Sequence, residues 1–465
     1  MIENIPYIGV LREFTGSCRE VFLVGGTLRD SILNRQVRDY DIALSESPFS
    51  VAKGFADAIN GAYVMLHERF PTARVVKGDC IYDFTALRGG SIGSDLLSRD
   101  FTVNALAVSI NNPVDGVIDV TGGLGDINNR IIRMVSKDNL ADDPVRLLRA
   151  FRVAVELGFT IDTDTLAAIA DLKGGISGAA VERVWAEFKM LMQADNTTEI
   201  IKSACETGLL FELLPELEPL RGLRQNRWHH LDVFDHTMVA YEAAESIINT
   251  LALPFHENLR AWLAMYPHNS ALIKLAILLH DVGKYRTYGQ SKDAHITFYR
   301  HEQEGTAIAA DIMTRFKAST KETEFVTMLV KNHMRILAFK RVGSAGGFAA
   351  MKRPLIRLLN IMGDAIYALI VVWIADSAAK LEGTDEIIGI CKDILDFYEN
   401  KYLPRKTAPR FITGRDLIET FKLTPSPLFS EILGAIEIKT LEGLVDSKAK
   451  AAALVDEFLH ARGVG

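Results

Sequence analysis

The chain has 465 residues, 48% of them hydrophobic and 24% charged, with 34 Gly, 14 Pro and a net charge of −7. That length accommodates about three domains, and the balance is that of a soluble globular protein, which excludes collagen-like, low-complexity and disordered chains. The longest apolar run, 365–375, lies between Asp364 and Asp376 and is too short to cross a bilayer, and the N-terminus shows no basic stretch before an apolar one. Cys18, Cys80, Cys205 and Cys391 are dispersed and form no C-x-x-C pair. The expected setting is a reducing cytoplasm, with no membrane, disulfide framework or zinc knot.

In chain order, Val21 to Val24 reads as a strand entering Gly25-Gly26, and Thr27 can cap a helix running to Leu33. Further strands are expected at 39–44, 81–87 and 103–110, giving an α/β unit on a small mixed sheet. From Ala141 the apolar period becomes 3.6, predicting helices near 142–157, 163–172, 180–193, 197–207, 232–249, 271–282, 301–316, 321–333, 354–380, 385–400, 414–422 and 446–461. The fold class is therefore α+β, a small mixed-sheet head followed by an all-α remainder. Breaks at 215–227 and 402–409 suggest four segments: a head (1–135), a helical neck (136–224), a middle helical domain (225–385) and a helical tail (386–465).

The net charge argues against a wholly basic nucleic-acid coat, but its distribution is uneven. Arg335, Lys340, Arg341, Lys352, Arg353 and Arg357 fall in a stretch without an acidic residue, as do Lys401, Arg405, Lys406, Arg410 and Arg415. Such stretches suit a phosphate-backbone track, or else solvated helix faces.

The strand Asp39-Tyr40-Asp41-Ile42 places two carboxylates on one face, a clamp suited to Mg²⁺ in phosphoryl or nucleotidyl transfer. Upstream, Gly25-Gly26 opens a helix whose backbone N–H groups can cradle a triphosphate, with Arg29 on its first turn. A tight turn alone would explain the glycines but not their placement beside the acidic pair. Asp83 is either a further metal-side carboxylate or a partly exposed strand acid. Arg99 is free to reach phosphate or sugar, and Asn104 can brace its loop.

After Asp142-Asp143-Pro144, a helix carries Arg146, Arg149 and Arg152, so that Asp143 and the three arginines stand at steps of three. A surface salt-bridge ladder would account for them. A sharper account follows from hydrogen-bond chemistry: Asp accepts and Arg donates. Cytosine and adenine both present an amino donor beside a ring-nitrogen acceptor, which one carboxylate and one guanidinium can bind. Uracil and guanine reverse the pattern.

Gly25-Gly26-x-x-Arg29-Asp30, Asp39-x-Asp41, Arg99-Asp100-Phe101-Thr102-x-Asn104-Ala105, the Asp142-Asp143-Pro144 helix, and Glu182-Arg183 with Glu187 occur in this order. The set resembles the class II bacterial tRNA nucleotidyltransferase and poly(A) polymerase superfamily over about residues 20–190. The resemblance implies a nucleotidyltransferase head in which Asp39 and Asp41 hold catalytic Mg²⁺. Gly26, Arg29 and Arg99 would engage the nucleotide's phosphates and sugar, and Asp143, Arg146, Arg149 and Arg152 would select CTP or ATP for the tRNA 3′ end without a nucleic-acid template. Asp142 stands where Glu is usual, and Ser98 where a second basic residue often precedes Arg99. The connection between Arg88 and Arg99 is shorter than the flexible loop of members that add the terminal A, so the chain looks like a CC-adding type. A-adding enzymes and poly(A) polymerases share the head motifs and remain alternatives.

In the middle domain, His236, His280-Asp281 and Asp376 stand on apolar helical segments. Imidazole with carboxylate suits Mn²⁺, Ni²⁺, Co²⁺, Fe²⁺ or Zn²⁺. The pattern resembles the HD phosphohydrolase superfamily, which implies these four as metal ligands, with His301 and His333 as possible additions and Lys284 as a phosphate contact. It also implies a second, phosphomonoester- or cyclic-phosphate-hydrolysing activity, against the alternative of a purely supporting helical body. A nucleotide-signalling HD hydrolase is the reading from a different class. Alarmone synthetases, however, carry HD before the transferase, the reverse of the order here.

Overall fold

The computed structural model describes residues 2–462 except 17, 68–70, 114–115, 226–230, 250–252, 267, 293–294 and 381–382. It divides into two compact units, Met1–Pro215 and Glu216–Gly465. Head and neck thus fall together in the first, apart from the last neck residues, and the middle domain and tail in the second.

The first unit is built on β1 (Val21–Val24), β2 (Asp39–Leu44), β3 (Ala62–His67), β4 (Thr72–Lys77), β5 (Cys80–Ala86), β6 (Leu106–Ser109) and β7 (Ile118–Asp119). They form one sheet in the order β3-β4-β5-β2-β1-β6-β7. Within this sheet β2 and β5 pair in parallel and the other neighbours pair antiparallel. The helix Pro48–Ile59 covers one face, where Phe55 packs edge-on against Tyr82 at 5.1 Å. A seven-residue helix, α1 (Gly26–Ile32), follows β1.

Strands β3 and β4 are absent from the sequence reading. β3 is the sheet edge, with Val64, Met65 and Leu66 exposed, and β4 buries only Ala73 and Val75, so neither carries a strong period-two apolar pattern. The strand expected at 103–110 begins only at Leu106, because Thr102–Asn104 is a 3₁₀ turn. The Asn104 and Ala105 N–H groups donate to the Phe101 and Thr102 carbonyls at 2.9 Å within the turn, and the Thr102 hydroxyl and Asn104 amide donate to Asp126 and Asp100 at 2.7 and 3.1 Å. Ile92–Leu97 forms a short helix, α2. Helix α3 (Val145–Leu157) begins three residues later than the expected 142. The ring of Pro144 bars Asp143 from the α region, and Asp143 is extended at φ −137°, ψ 90°. Helix α4 (Val181–Gln193) packs on α3.

The second unit is almost all helical. Its centre is α5 (Val233–Asn249), α6 (Asn269–Leu279), α7 (His301–Arg315), α8 (Thr320–Asn332) and α9 (Ile366–Ala378), with a small hairpin of Tyr288–Gln290 and Ile296–Phe298. The helix expected over 354–380 is divided at Gly363 (φ 55°) into Arg335–Met362 and α9. Gly343, Gly346, Gly347 and Pro354 obscure the period of the first piece, which kinks at Gly347 (φ 65°). By length and composition Arg335–Ala378 is apolar enough to cross a membrane, but 78% of its apolar window is buried inside the fold. Gly414–Glu419, Pro427–Leu441 and Lys448–His460 enclose a separate core around Leu417, Ile432, Ile436 and Val455. The four cysteines are free thiols.

Candidate active site and histidine-aspartate centre

Strand alternation turns Tyr40 and Ile42 into the core and Asp39 and Asp41 to the opposite face. Parallel pairing sets Asp83 of β5 beside Asp41, and antiparallel pairing sets Arg74 of β4 beside Asp83. Arg74 grips Asp83 with two hydrogen bonds of 2.8 Å. Asp83 is thereby paired, unlike its two acidic neighbours, and Arg74 lies in a strand the sequence reading missed. Among the described residues, neither Asp39 nor Asp41 has a side-chain hydrogen bond or ion pair. Burial raises the Asp41 pKa, and Asp83 and Asp39 add to it against the pull of Arg99 and Arg149. Unpartnered, oxygen-only donors on one face fit a hard divalent cation such as Mg²⁺, which would relieve this repulsion.

The turn above the pair needs glycine. Gly25 has φ 74°, and a Cβ there would stand 2.8 Å from Arg99 Nη1 and 3.2 Å from Asp41 Oδ2. A cleft of about 700 Å³ opens at this point, lined by Gly25, Gly26, Asp41, Arg88, Arg99, Asp143, Arg146 and Arg149, among others. Arg29 does not line it. Its guanidinium bonds Asp30 at 3.0 Å and Asn104 at 2.6 Å, bracing the segment that carries Arg99.

Of the four residues expected to select the base, Asp143, Arg146 and Arg149 line the cleft. Arg183 of α4 holds both carboxylate oxygens of Asp143, at 2.7 and 3.1 Å. Arg146 Nη1 donates to the Ser98 and Asn139 carbonyls at 3.2 and 2.9 Å, and its Nε lies 4.0 Å from Asp143. Arg149 Nε is 2.8 Å from Asp100, yet this buried donor has no aligned hydrogen bond. Burial tends to raise the Asp100 pKa, but Arg149, Asn104 and the Phe101 N–H outweigh it and hold it low. Arg152 is outside the cleft lining, paired with Glu187 and Glu156. Steps of three turn a helix by about 60° each, which carries Arg152 past the rim. Arg183 and Glu187 stand within a motif of the sequence, and the fold places both at the cleft. Asp95 also lines the cleft, and its signal in the sequence is its place four residues before Arg99.

In the second unit, His236 on α5, His280 and Asp281 after α6, His301 at the start of α7, His333 after α8 and Asp376 on α9 converge. His236, His280 and Asp376 form one group able to hold an ion, and Asp281, His301 and His333 a second. His236 Nε2 lies 3.0 Å from Asp376, His280 Nε2 3.2 Å from Asp281, and His301 Nε2 3.3 Å from Asp281. All four Nδ1 atoms meet backbone carbonyls, of Ala379, Ile277, Phe298 and Val330, at 2.6 to 3.3 Å. A carbonyl only accepts, so each Nδ1 carries the hydrogen and each Nε2 points inward. His280 Nε2 is buried without a hydrogen-bond partner. Burial opposes charge on His280, but Asp281 and Asp376 outweigh it and hold the imidazole up at about 10. Burial, with His280 beside it, pushes His333 down to about 3. Lys284 lies 2.6 Å from Asp281 and Lys380 2.7 Å from Asp376, and although burial opposes ionisation, both carboxyls are held well below their usual range. Imidazole nitrogens with carboxylates fit a borderline transition metal.

A pair of unpartnered strand carboxylates beside a glycine turn, on a mixed sheet with a helical neck, is the arrangement of a nucleotidyltransferase. Family models match residues 21–133 as the poly A polymerase head domain, 158–220 as a probable RNA and SrmB-binding site of polymerase A, and 233–371 as an HD domain. The chain is 32% identical over 444 residues to an A-adding tRNA nucleotidyltransferase of Deinococcus radiodurans, covering 94% of this chain and 95% of that one. It is 28% identical over 438 residues to a CC-adding tRNA nucleotidyltransferase of Synechocystis, covering 94% and 93%. In fold it is similar to a Thermotoga maritima CCA-adding enzyme complexed with tRNA, at a TM-score of 0.65 and 20% identity, covering 97% and 94%. The chain belongs to the tRNA nucleotidyltransferase family and carries that family's head, RNA-binding and HD domains.

Proposed function

We propose that the enzyme transfers CMP from CTP to the 3′ end of tRNA and stops after the second cytidine. The terminal 3′-hydroxyl gives up its proton to solvent as its oxygen attacks the α-phosphorus, a new phosphodiester forms, and the bond from the α-phosphorus to the bridging oxygen breaks to release pyrophosphate. Mg²⁺ held by Asp39 and Asp41 would supply charge stabilisation for both oxygens. Asp143 and Arg146 present an acceptor and a donor to the base, while Arg99 faces the phosphates.

The observation that supports the CC reading is the short 88–99 connection, most of which is taken up by α2. Exchanging a C-shaped pocket for an A-shaped one requires the template side chains to move, and this connection offers no long lever to move them. The A-adding name of the Deinococcus relative favours a second reading, addition of A alone. With CTP as the only nucleotide, a tRNA transcript ending at the discriminator base is expected to grow by two residues. No growth with CTP, and growth with ATP on a CC end, would favour the second reading.

Arg146→Ala is expected to relax base choice more than it slows transfer. A charge-assisted hydrogen bond is worth about 1.5–3 kcal/mol, or roughly ten- to hundredfold in discrimination. Misincorporation of UMP and GMP by the variant and the parent measures it, and unchanged exclusion would remove Arg146 from base selection.

The histidine-aspartate centre is proposed as a second active site that hydrolyses phosphomonoesters or cyclic phosphates with a divalent transition metal. The donor set of four inward nitrogens and two carboxylates supports this. Four free thiols and the tRNA substrate suit the reducing cytoplasm.

A further inference from the structure

One side chain closes the 88–99 connection at both ends. Its chain enters through Gly89 and Gly90, at φ 64° and 74°, and α2 is capped by Ser91, which accepts from the Ser94 N–H. Within α2, Asp95 is only 3% exposed. Its Oδ1 accepts the backbone N–H of Arg88 at 3.2 Å, and its Oδ2 accepts Arg99 Nε at 2.9 Å and Nη2 at 2.8 Å. The three donors come from two sides, so only an ionised carboxylate satisfies them all, because an amide would turn its own NH₂ against one.

This grip determines where the rest of Arg99 points. With Nε and Nη2 engaged, Nη1 remains on the cleft side, where it reaches the Asn104 carbonyl only at 3.4 Å and stands 2.8 Å from the place a Gly25 Cβ would take. Arg88, tied through its backbone to the same carboxylate, also lines the cleft. We propose that Asp95 is a positioning residue for nucleotidyl transfer: it aims Arg99 Nη1 at the phosphates of the incoming nucleotide and fastens the lip of the cleft at both ends. The inference rests on Arg99 as a phosphate contact, the role proposed for it above. It also gives the short connection a physical lock rather than mere shortness.

The test is steady-state CMP transfer at varied CTP by full-length parent, Asp95→Asn, Arg99→Ala, Arg99→Lys and the Asp95→Asn/Arg99→Ala double variant. Asp95→Asn should raise KM for CTP roughly ten- to hundredfold, as expected for losing a charge-assisted hydrogen bond, with a smaller change in kcat. In the Arg99→Ala background it should raise KM no further, because the linkage to Arg99 is already broken and the amide oxygen is then free to accept the Arg88 N–H. Arg99→Lys keeps the charge but cannot bridge Asp95 and the cleft at once, so it should raise KM with Asp95 intact, which settles the matter even if Asp95→Asn folds poorly. A parental KM in Arg99→Ala would overturn the phosphate role of Arg99 and the proposal with it. A raised KM in Arg99→Ala with a parental KM in Asp95→Asn would overturn the role of Asp95 alone. Additive losses in the double variant would show Asp95 acting through the fold, and would equally overturn it.

Discussion

Asp41→Ala should abolish CMP incorporation while leaving the head as stable as the parent, or slightly more so. The loss follows from the metal's share of transition-state stabilisation, several kcal/mol, so transfer should fall by at least about a thousandfold. The stability follows from the local electrostatics. Burial, Asp83 and Asp39 make the ionised Asp41 carboxylate costly, and no side chain donates to it. A carboxyl whose folded pKa is raised destabilises the protein above its unfolded pKa, so removing it at neutral pH relieves that cost. Primer extension under Mg²⁺ and a thermal melt measure the two effects. Residual activity near the parental rate would place the catalytic cation elsewhere.

The second large effect is expected from His280→Ala combined with Asp281→Ala, which should reduce metal-dependent phosphate-ester hydrolysis to background and spare CMP transfer. His280 belongs to one group and Asp281, within 3.3 Å of both His280 and His301, to the other, so the double variant takes a donor from each. It also leaves Lys284, buried at 6% exposure, without its carboxylate, which costs about 3–5 kcal/mol. A lowered melting temperature is therefore expected for the double variant. His280→Ala alone keeps the Lys284 pair and should lose hydrolysis with a smaller stability change. Equal hydrolysis by parent and variants would assign this centre a structural role.

How much of this was legible in the sequence differs by element. The Asp39-x-Asp41 pair, Gly25 and the histidine-aspartate set are readable because each depends on local geometry: strand alternation, a tight turn, or chemistry-bearing residues ending apolar helices. What the sequence concealed is long-range pairing. Arg74 reaches Asp83 only through a β4–β5 register set in a weakly patterned strand, and Arg183 reaches Asp143 across two packed helices. Arg29 and Arg152 stand in the motif with the other arginines, but outside the cleft lining, where Asn104 and Glu187 accept their hydrogen bonds. Charged residues at helical spacing indicate a face, whereas their partners come from the tertiary fold.

The most direct measurement of the central claim is single-turnover transfer from CTP and from ATP to the same tRNA ending in C and in CC. Fast CMP addition to the C end and negligible AMP addition to the CC end are the predicted results. Ready extension of the CC end with ATP would contradict a cleft fixed for cytidine by the locked 88–99 connection.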